Sequence, residues 1–450
     1  MNKRIDKVDR ISELPEPILH HILSFLPSDE VARTSVLSTK WETAWRTCPV
    51  LKFDSAIFKD YSLHSITNLN EGELRRRNEL FNCLAQIIRI RHCRFMLSME
   101  KFTLEISLFV DLEFAAFVEQ CICHAVGCNV KELKILFIAE DINWYIIPPI
   151  LLFADSIEHL ELKCCTLKSP RNYVNLSSLR KLVLSKVYMD DHMIKNLLGG
   201  CPLIEILRLE DCGGFKSLEL VGLTRLEDLF IISCMDLVEI NFETPNLQFL
   251  AYAGNIVSLS VNALALSEIY LMIPLNVETQ RYIEFLANFY FSEVLTWHIS
   301  KSVDVMVPRE LREKIPSPLS NLKLLNLNCN VAPTGRTIAK VVDTLLWFAP
   351  HAKTISVGKF GDFGRARQQT VPEIAVTCPH RSLNDVITWS KNRKPVCSSI
   401  EQRSREAWTK TMRIRGLWLA PDKLYHFVFS ALVSYSRYPS LRSNSIRVGA

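Results

Sequence analysis

The residues in this chain best suited to chemistry by type and spacing are Cys121, Cys123, His124 and Cys128. Three thiols and an imidazole so close together form a donor set that zinc accepts. Their order, C-x-C-H-x3-C, is not a structural zinc spacing, and a second ligand pair is missing. Glu113 to Val126 around them repeats apolar residues at helical intervals. The thiols therefore read as core members of a helix, and no metal site is assigned. Cys164-Cys165 falls at the end of an alternating apolar run and reads the same way. No G-x-S-x-G elbow marks a nucleophile. With 14 glycines in 450 residues, neither a Walker A pattern nor G-x-G-x-x-G occurs. The chain reads as a non-enzyme with no catalytic residue and no cofactor.

Composition narrows the classes further. Hydrophobic residues make up 48% and charged residues 22% of the chain, ordinary values for a globular protein with a sizeable core. A net charge of +5 is too small to argue for a nucleic-acid partner. Arg75-Arg76-Arg77 reads as a solvated loop. The charged start, Met1 to Arg10, has no apolar h-region, so no secretory signal is read and the 14 cysteines are expected to be thiols. The expected location is cytoplasm, nucleus or both. No apolar run reaches membrane-spanning length, so no membrane association is expected.

The elements that organise these residues are repeats. L-x-x-L-x-L-x-x-(N/C) recurs at Ile157-Leu160-Leu162-Cys165, Leu179-Leu182-Leu184-Val187, Ile204-Leu207-Leu209-Cys212 and Leu226-Leu229-Ile231-Cys234. It continues at Leu247-Leu250-Tyr252-Asn255 and Leu322-Leu325-Leu327-Asn330, with weaker copies at Val130-Leu133-Ile135 and Leu266-Ile269-Leu271. From position 133 to 269 the copies step by 19 to 27 residues, the spacing of leucine-rich repeats. Each L-x-L predicts a short strand that buries its leucines only when neighbours stack. The N/C position predicts a small group held against the turn backbone. Asp190 to Leu198 predicts a helix stopped at Gly199-Gly200, whereas Leu218/Leu220, Ile240/Phe242 and Leu259/Val261 predict strands in the return limbs. The central repeats are thus β-rich. Leu51 to Phe53 and Phe102 to Ile106 read as strands of a linking region, with helices over Asn78 to Cys93 and Glu113 to Val126.

The N-terminal segment is different. Ile18, Ile22 and Leu26 recur every four residues, with Leu19 and Leu23 beside them, which predicts an amphipathic helix opened by Pro15 and stopped by Pro27. Ser28 and Ser38 predict caps for two further helices, the last carrying Trp41, Ala44 and Trp45 on one face. Three helices in about 40 residues bury little surface, so the apolar stripe exceeds what they need. Ile11-Ser-Glu-Leu-Pro15, Ile22-Leu-Ser-Phe-Leu-Pro27, Thr34-Ser-Val-Leu-Ser38 and the pair Trp41/Trp45 resemble the plant-type F-box. The pattern departs at Thr39, Lys40 and Glu42, where the family is more basic. With the repeats, the chain resembles plant F-box/leucine-rich-repeat proteins, FBD-related, over Ile11 to Val357. The FBD pattern is not clear at the end of the chain, where Cys378-Pro-His-Arg-Ser-Leu383 is only loosely similar to the family's last repeats.

That resemblance implies a fold of mixed α+β class: a three-helix F-box at 9–50, a linker with irregular first repeats at 51–128, a leucine-rich-repeat α/β solenoid at 129–357, and a degenerate last repeat with an uncharacterised segment at 358–450. It implies a substrate-recognition subunit of an SCF-type cullin-RING ubiquitin ligase. Leu14, Pro15, Ile18, Ile22, Leu23 and Leu26 would meet the Skp-type adaptor, with Val36, Leu37, Trp41 and Trp45 extending the contact. The repeats would hold an unknown client protein. Positions flanking the strand leucines change from His159, Glu161, Lys163 and Lys181 to Phe230, Ile232, Phe249, Ala251, Tyr270 and Met272. This fall in polarity predicts an exposed apolar client face anchored by Phe230, Phe249 and Tyr270, with Ile232 and Met272 beside them. The competing expectations are a ligase-independent repeat scaffold with a degenerate F-box, and a pocketed hydrolase. A basic stretch at 391–405 and an apolar one at Leu424 to Val433 carry no functional reading.

Overall fold

The computed structural model describes residues 11–359, apart from 12, 27, 55–70, isolated positions between 73 and 90, 91–97, 108–111, 139–144, 171–172, 274–278, 302–304 and 332–335, and it adds 374–377. Pro27, Arg76-Arg77, Cys93, the run from Cys378 to Leu383 and the stretches at 391–405 and 424–433 lie outside the described residues. The chain divides into two compact units, Met1–Leu247 and Gln248–Ala450.

The first unit opens with helices α1 (Glu16–Phe25), α2 (Ser28–Thr34) and α3 (Thr39–Thr47). Pro15 is the N-cap of α1 and Pro17 stands in its first turn, where a missing N–H costs nothing. The Ser38 hydroxyl accepts from the Trp41 amide at 3.3 Å and caps α3. Next come β1 (Val50–Phe53), β2 (Lys101–Ser107), α4 (Leu112–Gly127), β3 (Glu132–Ile138), β4 (Tyr145–Ile146) and a 3-10 turn at Pro149–Phe153. They are followed by β5 (His159–Thr166), β6 (Lys181–Tyr188), α5 (Asp191–Gly199), β7 (Ile206–Glu210), β8 (Ser217–Val221), β9 (Asp228–Ile232) and β10 (Glu239–Glu243). The described residues between 71 and 89 are helical, and Phe81 stacks on Phe117 of α4 at 4.9 Å.

The main sheet of this unit runs β1-β2-β3-β5-β6-β7-β9 in parallel. Its register places Leu51, Phe102, Leu133, Leu160, Leu182, Leu207 and Leu229 side by side. Phe53, Leu104, Ile135, Leu162, Leu184, Leu209 and Ile231 form a second column two residues on. Every member of both columns is buried, each contributing roughly 1.5–3 kcal/mol. The strands read as a linking region are therefore the first two rungs of this sheet.

The four rungs β5, β6, β7 and β9 each carry a left-handed residue within or just after their last few positions: Cys164, Lys186, Asp211 and Ser233 all have φ between 50° and 56°. The bend turns Cys212 and Cys234 back on the preceding rung. Their thiols donate to the carbonyls of Leu184 (3.3 Å) and Leu209 (3.8 Å). The repeat template predicts a small group here against the turn backbone; the structure sets it against the neighbouring strand's backbone instead.

The return limbs match the sequence reading. Asp190 caps α5 by accepting from Met193 N at 2.7 Å. Gly200 ends that helix with φ −83°, so positive φ is not the reason for glycine. Space is: a Cβ there would lie 2.6 Å from the carbonyl oxygen of Val174. The next two limbs are strands, and β8 and β10 pair in parallel through Leu218–Ile240 and Leu220–Phe242.

The second unit contains β11 (Phe249–Ala253), β12 (Ser258–Asn262), β13 (Glu268–Met272), α6 (Thr279–Ala287), β14 (Val294–Lys301), α7 (Arg309–Arg312), β15 (Leu324–Val331), α8 (Arg336–Phe348), β16 (Thr354–Lys359) and β17 (Ile374–Thr377). Strands β11, β13, β14, β15 and β16 are parallel, with β17 antiparallel to β16. Leu250, Ile269, Leu295, Leu325 and Ile355 make one buried column. Tyr282, Trp297 and Phe348 cluster beneath it, with ring centroids 6.1 Å and 5.6 Å from Trp297. Strand β14 escaped the repeat template because Ser292 and Trp297 stand where leucines are expected.

Candidate docking site on the N-terminal helices

Helix α1 carries apolar residues over nearly half its circumference, and the structure divides them. Leu19 and Leu23 turn inward and join Trp41, Ala44 and Cys48 in a closed core. Leu14, Ile22, Leu26, Val31, Trp45 and Val50 pack against that core while remaining partly exposed. Ile18 and Phe25 turn outward, 46% and 74% exposed. The turn before α3 adds Val36 and Leu37 at 85% and 64%. The helices are pinned by polar contacts on another side. His20 Nε2 lies 3.0 Å from Thr47 Oγ1, and the Thr47 hydroxyl donates to Glu16.

This placement corrects two site assignments. Leu23 and Trp41 were expected to meet the adaptor, but they are sealed inside the helices' own core. They hold the module together, because a unit this small needs its largest side chains for itself. Pro15, Ile18, Val36 and Leu37 stand outside, and Leu14, Ile22, Leu26 and Trp45 sit between the two roles. Phe25 was missed by the repeat of four. It follows Ile22 by three residues, so an i, i+4, i+7 reading from Ile18 finds it.

The expected client face is also revised. Phe230 is only 3% exposed. The Arg208 guanidinium lies 4.0 Å from its ring centroid, and Arg208 Nη1 donates to Glu210 at 2.9 Å. Strand neighbours in a parallel sheet stand about 4.8 Å apart, so a long side chain on one rung covers the next. Ala251 is buried as well, whereas Ile232, Phe249, Tyr270 and Met272 are half-buried.

Nor does polarity simply fall along the chain. On the early rungs Lys134 bridges Glu161 (2.7 Å) and Glu132 (3.5 Å), and Lys101 reaches Glu132 at 3.0 Å. Burial alone would raise the Glu132 carboxyl, but these two lysines hold it below the usual range. At Glu210 burial wins over Arg208 and the Ser185 hydroxyl, and its carboxyl is raised. In the second unit uncharged polar groups return. Asn326 Nδ2 donates to Thr296 Oγ1 at 3.3 Å and Ser356 Oγ donates to Asn326 Oδ1 at 2.5 Å. His298 lies 3.3 Å from Asn330 Oδ1, and burial lowers it to about 4.

The cysteine cluster makes no metal site. Cys121 is fully buried, its thiol pushed up by burial, while Cys123 two residues on is exposed. Two positions on a helix are about 200° apart, so Cys121 and Cys123 point apart, while Cys128 Sγ lies 3.8 Å from the His124 ring nitrogens. Among the described residues no group of three or more His, Cys, Asp or Glu could hold a metal ion, and no helix is long and apolar enough to cross a membrane.

A small helical module with a divided apolar face, followed by stacked parallel rungs whose leucines align in buried columns, defines the class: an F-box joined to leucine-rich repeats. Comparison with known proteins agrees. Residues 11–53 match the F-box domain family, and residues 91–330 match the family described as At1g61320/AtMIF1, LRR domain. The chain belongs to the F-box/leucine-rich-repeat proteins. It is 32% identical to F-box/LRR-repeat protein At3g59200 of Arabidopsis thaliana, over 63% of this chain and 54% of that one. It is 32% identical to Arabidopsis F-box/LRR-repeat protein 25, over 49% of this chain and 75% of that one. FBD-associated F-box protein At3g52670, also from Arabidopsis, is 29% identical over 56% of each. The chain thus spans about half the length of several curated relatives it matches. A solved structure, the TLR13–ssRNA13 complex, aligns with 59% of this chain and 46% of that one at 14% identity and a TM-score of 0.27, a likeness too slight to carry any argument.

Proposed function

We propose that this chain is a non-catalytic substrate-recognition subunit of a cullin-RING ubiquitin ligase, docking to the Skp-type adaptor through its F-box and holding a client protein on its repeats. The observation that carries this reading is the outward apolar set of Ile18, Phe25, Val36 and Leu37, which the helices' own core leaves in water. Exposed apolar groups on so small a module mark a protein interface, and a helical face of this kind suits a groove with a few large anchors. Pro15, Leu14, Ile22, Leu26 and Trp45 complete the contact. The chain transfers no ubiquitin. It raises the effective concentration of the client near the conjugating enzyme. In the second unit Phe249, Tyr270 and Met272 are the proposed client contacts, and Ile232 is a contact in the first.

The test is co-purification with a plant Skp-type adaptor. The wild-type chain is expected to bind stoichiometrically. Ile18→Asp combined with Leu37→Asp changes only exposed residues, so the circular-dichroism spectrum and melting temperature should hold while affinity falls by about a hundredfold or more. A wild-type chain that ignores the adaptor, or a folded double variant that binds as before, would overturn the reading in favour of a ligase-independent scaffold.

A further inference from the structure

One polar cluster in the first unit has no part in the docking surfaces. Ser169 lies just past β5 in a stretch without regular structure. Its Oγ is 2.8 Å from His192 Nδ1 and accepts from Asn196 Nδ2 at 3.1 Å. His192 and Asn196 are four residues apart on α5, one above the other on the same helix face, so both aim at a single oxygen. The next residue is Pro170, which has no N–H and biases the residue before it toward extended backbone. A partly exposed serine outside regular structure, followed by a position with no amide hydrogen, has the shape that proline-directed protein kinases accept.

We propose that Ser169 is a phosphorylation site whose phosphate is clamped by His192 and Asn196. In the modification Ser169 Oγ attacks the γ-phosphorus of ATP, and the bond from that phosphorus to the β–γ bridging oxygen breaks. ADP leaves with the electron pair, and the hydroxyl proton passes to the kinase's base. The added group carries a charge near −2 and strong acceptor oxygens. His192 stands in the first turn of nine-residue α5, near its positive end, and Asn196 one turn further on; both already face the Ser169 oxygen.

The neighbouring charges permit it. The carboxylate of Asp190 accepts from Met193 N at 2.7 Å, and that of Asp191 accepts from the amides of Lys216 and Ser217 at 2.6 and 2.8 Å. Glu219 is paired with Lys195 at 2.7 Å. These three carboxylates each have a partner of their own, and Lys168 beside Ser169 is exposed. The modified residue would fasten the limb after β5 to the helix of the following repeat.

The experiment treats the full-length chain with a proline-directed serine/threonine kinase and ATP, locates phosphate by peptide mass spectrometry, and compares melting temperatures before and after. Wild type should incorporate phosphate at Ser169 and melt about 2 °C higher. Ser169→Ala should lose that incorporation. His192→Ala combined with Asn196→Ala, both on the solvent side of α5, should still be modified at Ser169 but gain nothing in melting temperature. Failure of the folded wild type to take phosphate at Ser169 would overturn the proposal. So would an equal thermal gain in wild type and the double variant.

Discussion

The outward face of the F-box helices and the strand face of the repeats began as equals in the sequence. Both offer large apolar residues at positions expected to face water, Ile18, Val36 and Leu37 on one and Phe230 on the other. The structure separates them. Val36 is 85% exposed and Phe230 is 3% exposed. The difference lies in what surrounds a side chain in each setting. A residue on a short helix or turn at the edge of a small module has few neighbours. A residue on an inner strand of a parallel sheet has a neighbour on each side about 4.8 Å away. Arg208 spans that distance and lays its guanidinium over Phe230. Alternation along a strand tells which face a residue is on, and it does not tell whether that face is open.

Truncation measures the contrast most directly. Phe230→Ala should cost about 3–5 kcal/mol of stability, the range for removing a buried aromatic side chain. Val36→Ala should cost under about 0.5 kcal/mol, as exposed substitutions do. Urea denaturation of the two variants side by side reads the difference. Similar losses would mean that both residues are equally exposed, or equally buried, in solution.

Much of this was legible in the sequence because it rests on period. The rungs from Leu133 to Leu229 align as the spacing of the L-x-L copies predicts, and the limb strands at Leu218, Ile240 and Leu259 are where alternation places them. Two kinds of fact were not legible. The rung at Leu295 was hidden because Ser292 stands in place of one leucine and Trp297 fills the pocket another fills elsewhere, with Tyr282 and Phe348 shaped around it. The split of the F-box stripe into core and surface was hidden because periodicity gives an angle on a helix and not the depth of what packs against it. Leu23 and Trp41 look as available in sequence as Ile18 and Leu37.

The same covering by adjacent strands predicts a pH signature for the repeats. His298 is buried on β14 and held neutral, its ring lowered to about 4 from an ordinary value near 6.5. The unfolded chain takes up this proton as pH falls through 6.5, and the folded chain resists until about 4. Stability is therefore fully present above the unfolded value and is lost as pH falls between the two. From pH 7 to pH 5 this group alone should remove about 2 kcal/mol. Denaturant midpoints at the two pH values, compared with those of His298→Gln, isolate its share. An unchanged slope in the variant would mean that the ring is already solvated and that β14 is more open than its neighbours.

The smallest effect tests whether the two regions differ in cooperativity as well as in exposure. Ser38 caps α3 of the F-box, and Asp190 caps α5 of the repeats, each through one side-chain oxygen on a backbone amide. Ser38→Ala and Asp190→Ala should each cost about 1 kcal/mol. Their consequences should nevertheless diverge. Among the described residues the three helices close over a buried core of Leu19, Leu23, Trp41, Ala44 and Cys48, so they have little stability of their own to lose. Ser38→Ala should open α1 to α3 locally and speed proteolytic cleavage there severalfold. Helix α5 buries Met193, Ile194, Leu197 and Leu198 beneath stacked rungs, so Asp190→Ala should lower the global midpoint without creating a new cleavage site. Equal local cleavage in both variants would show that the repeats open as readily as the F-box, and that only exposure distinguishes them.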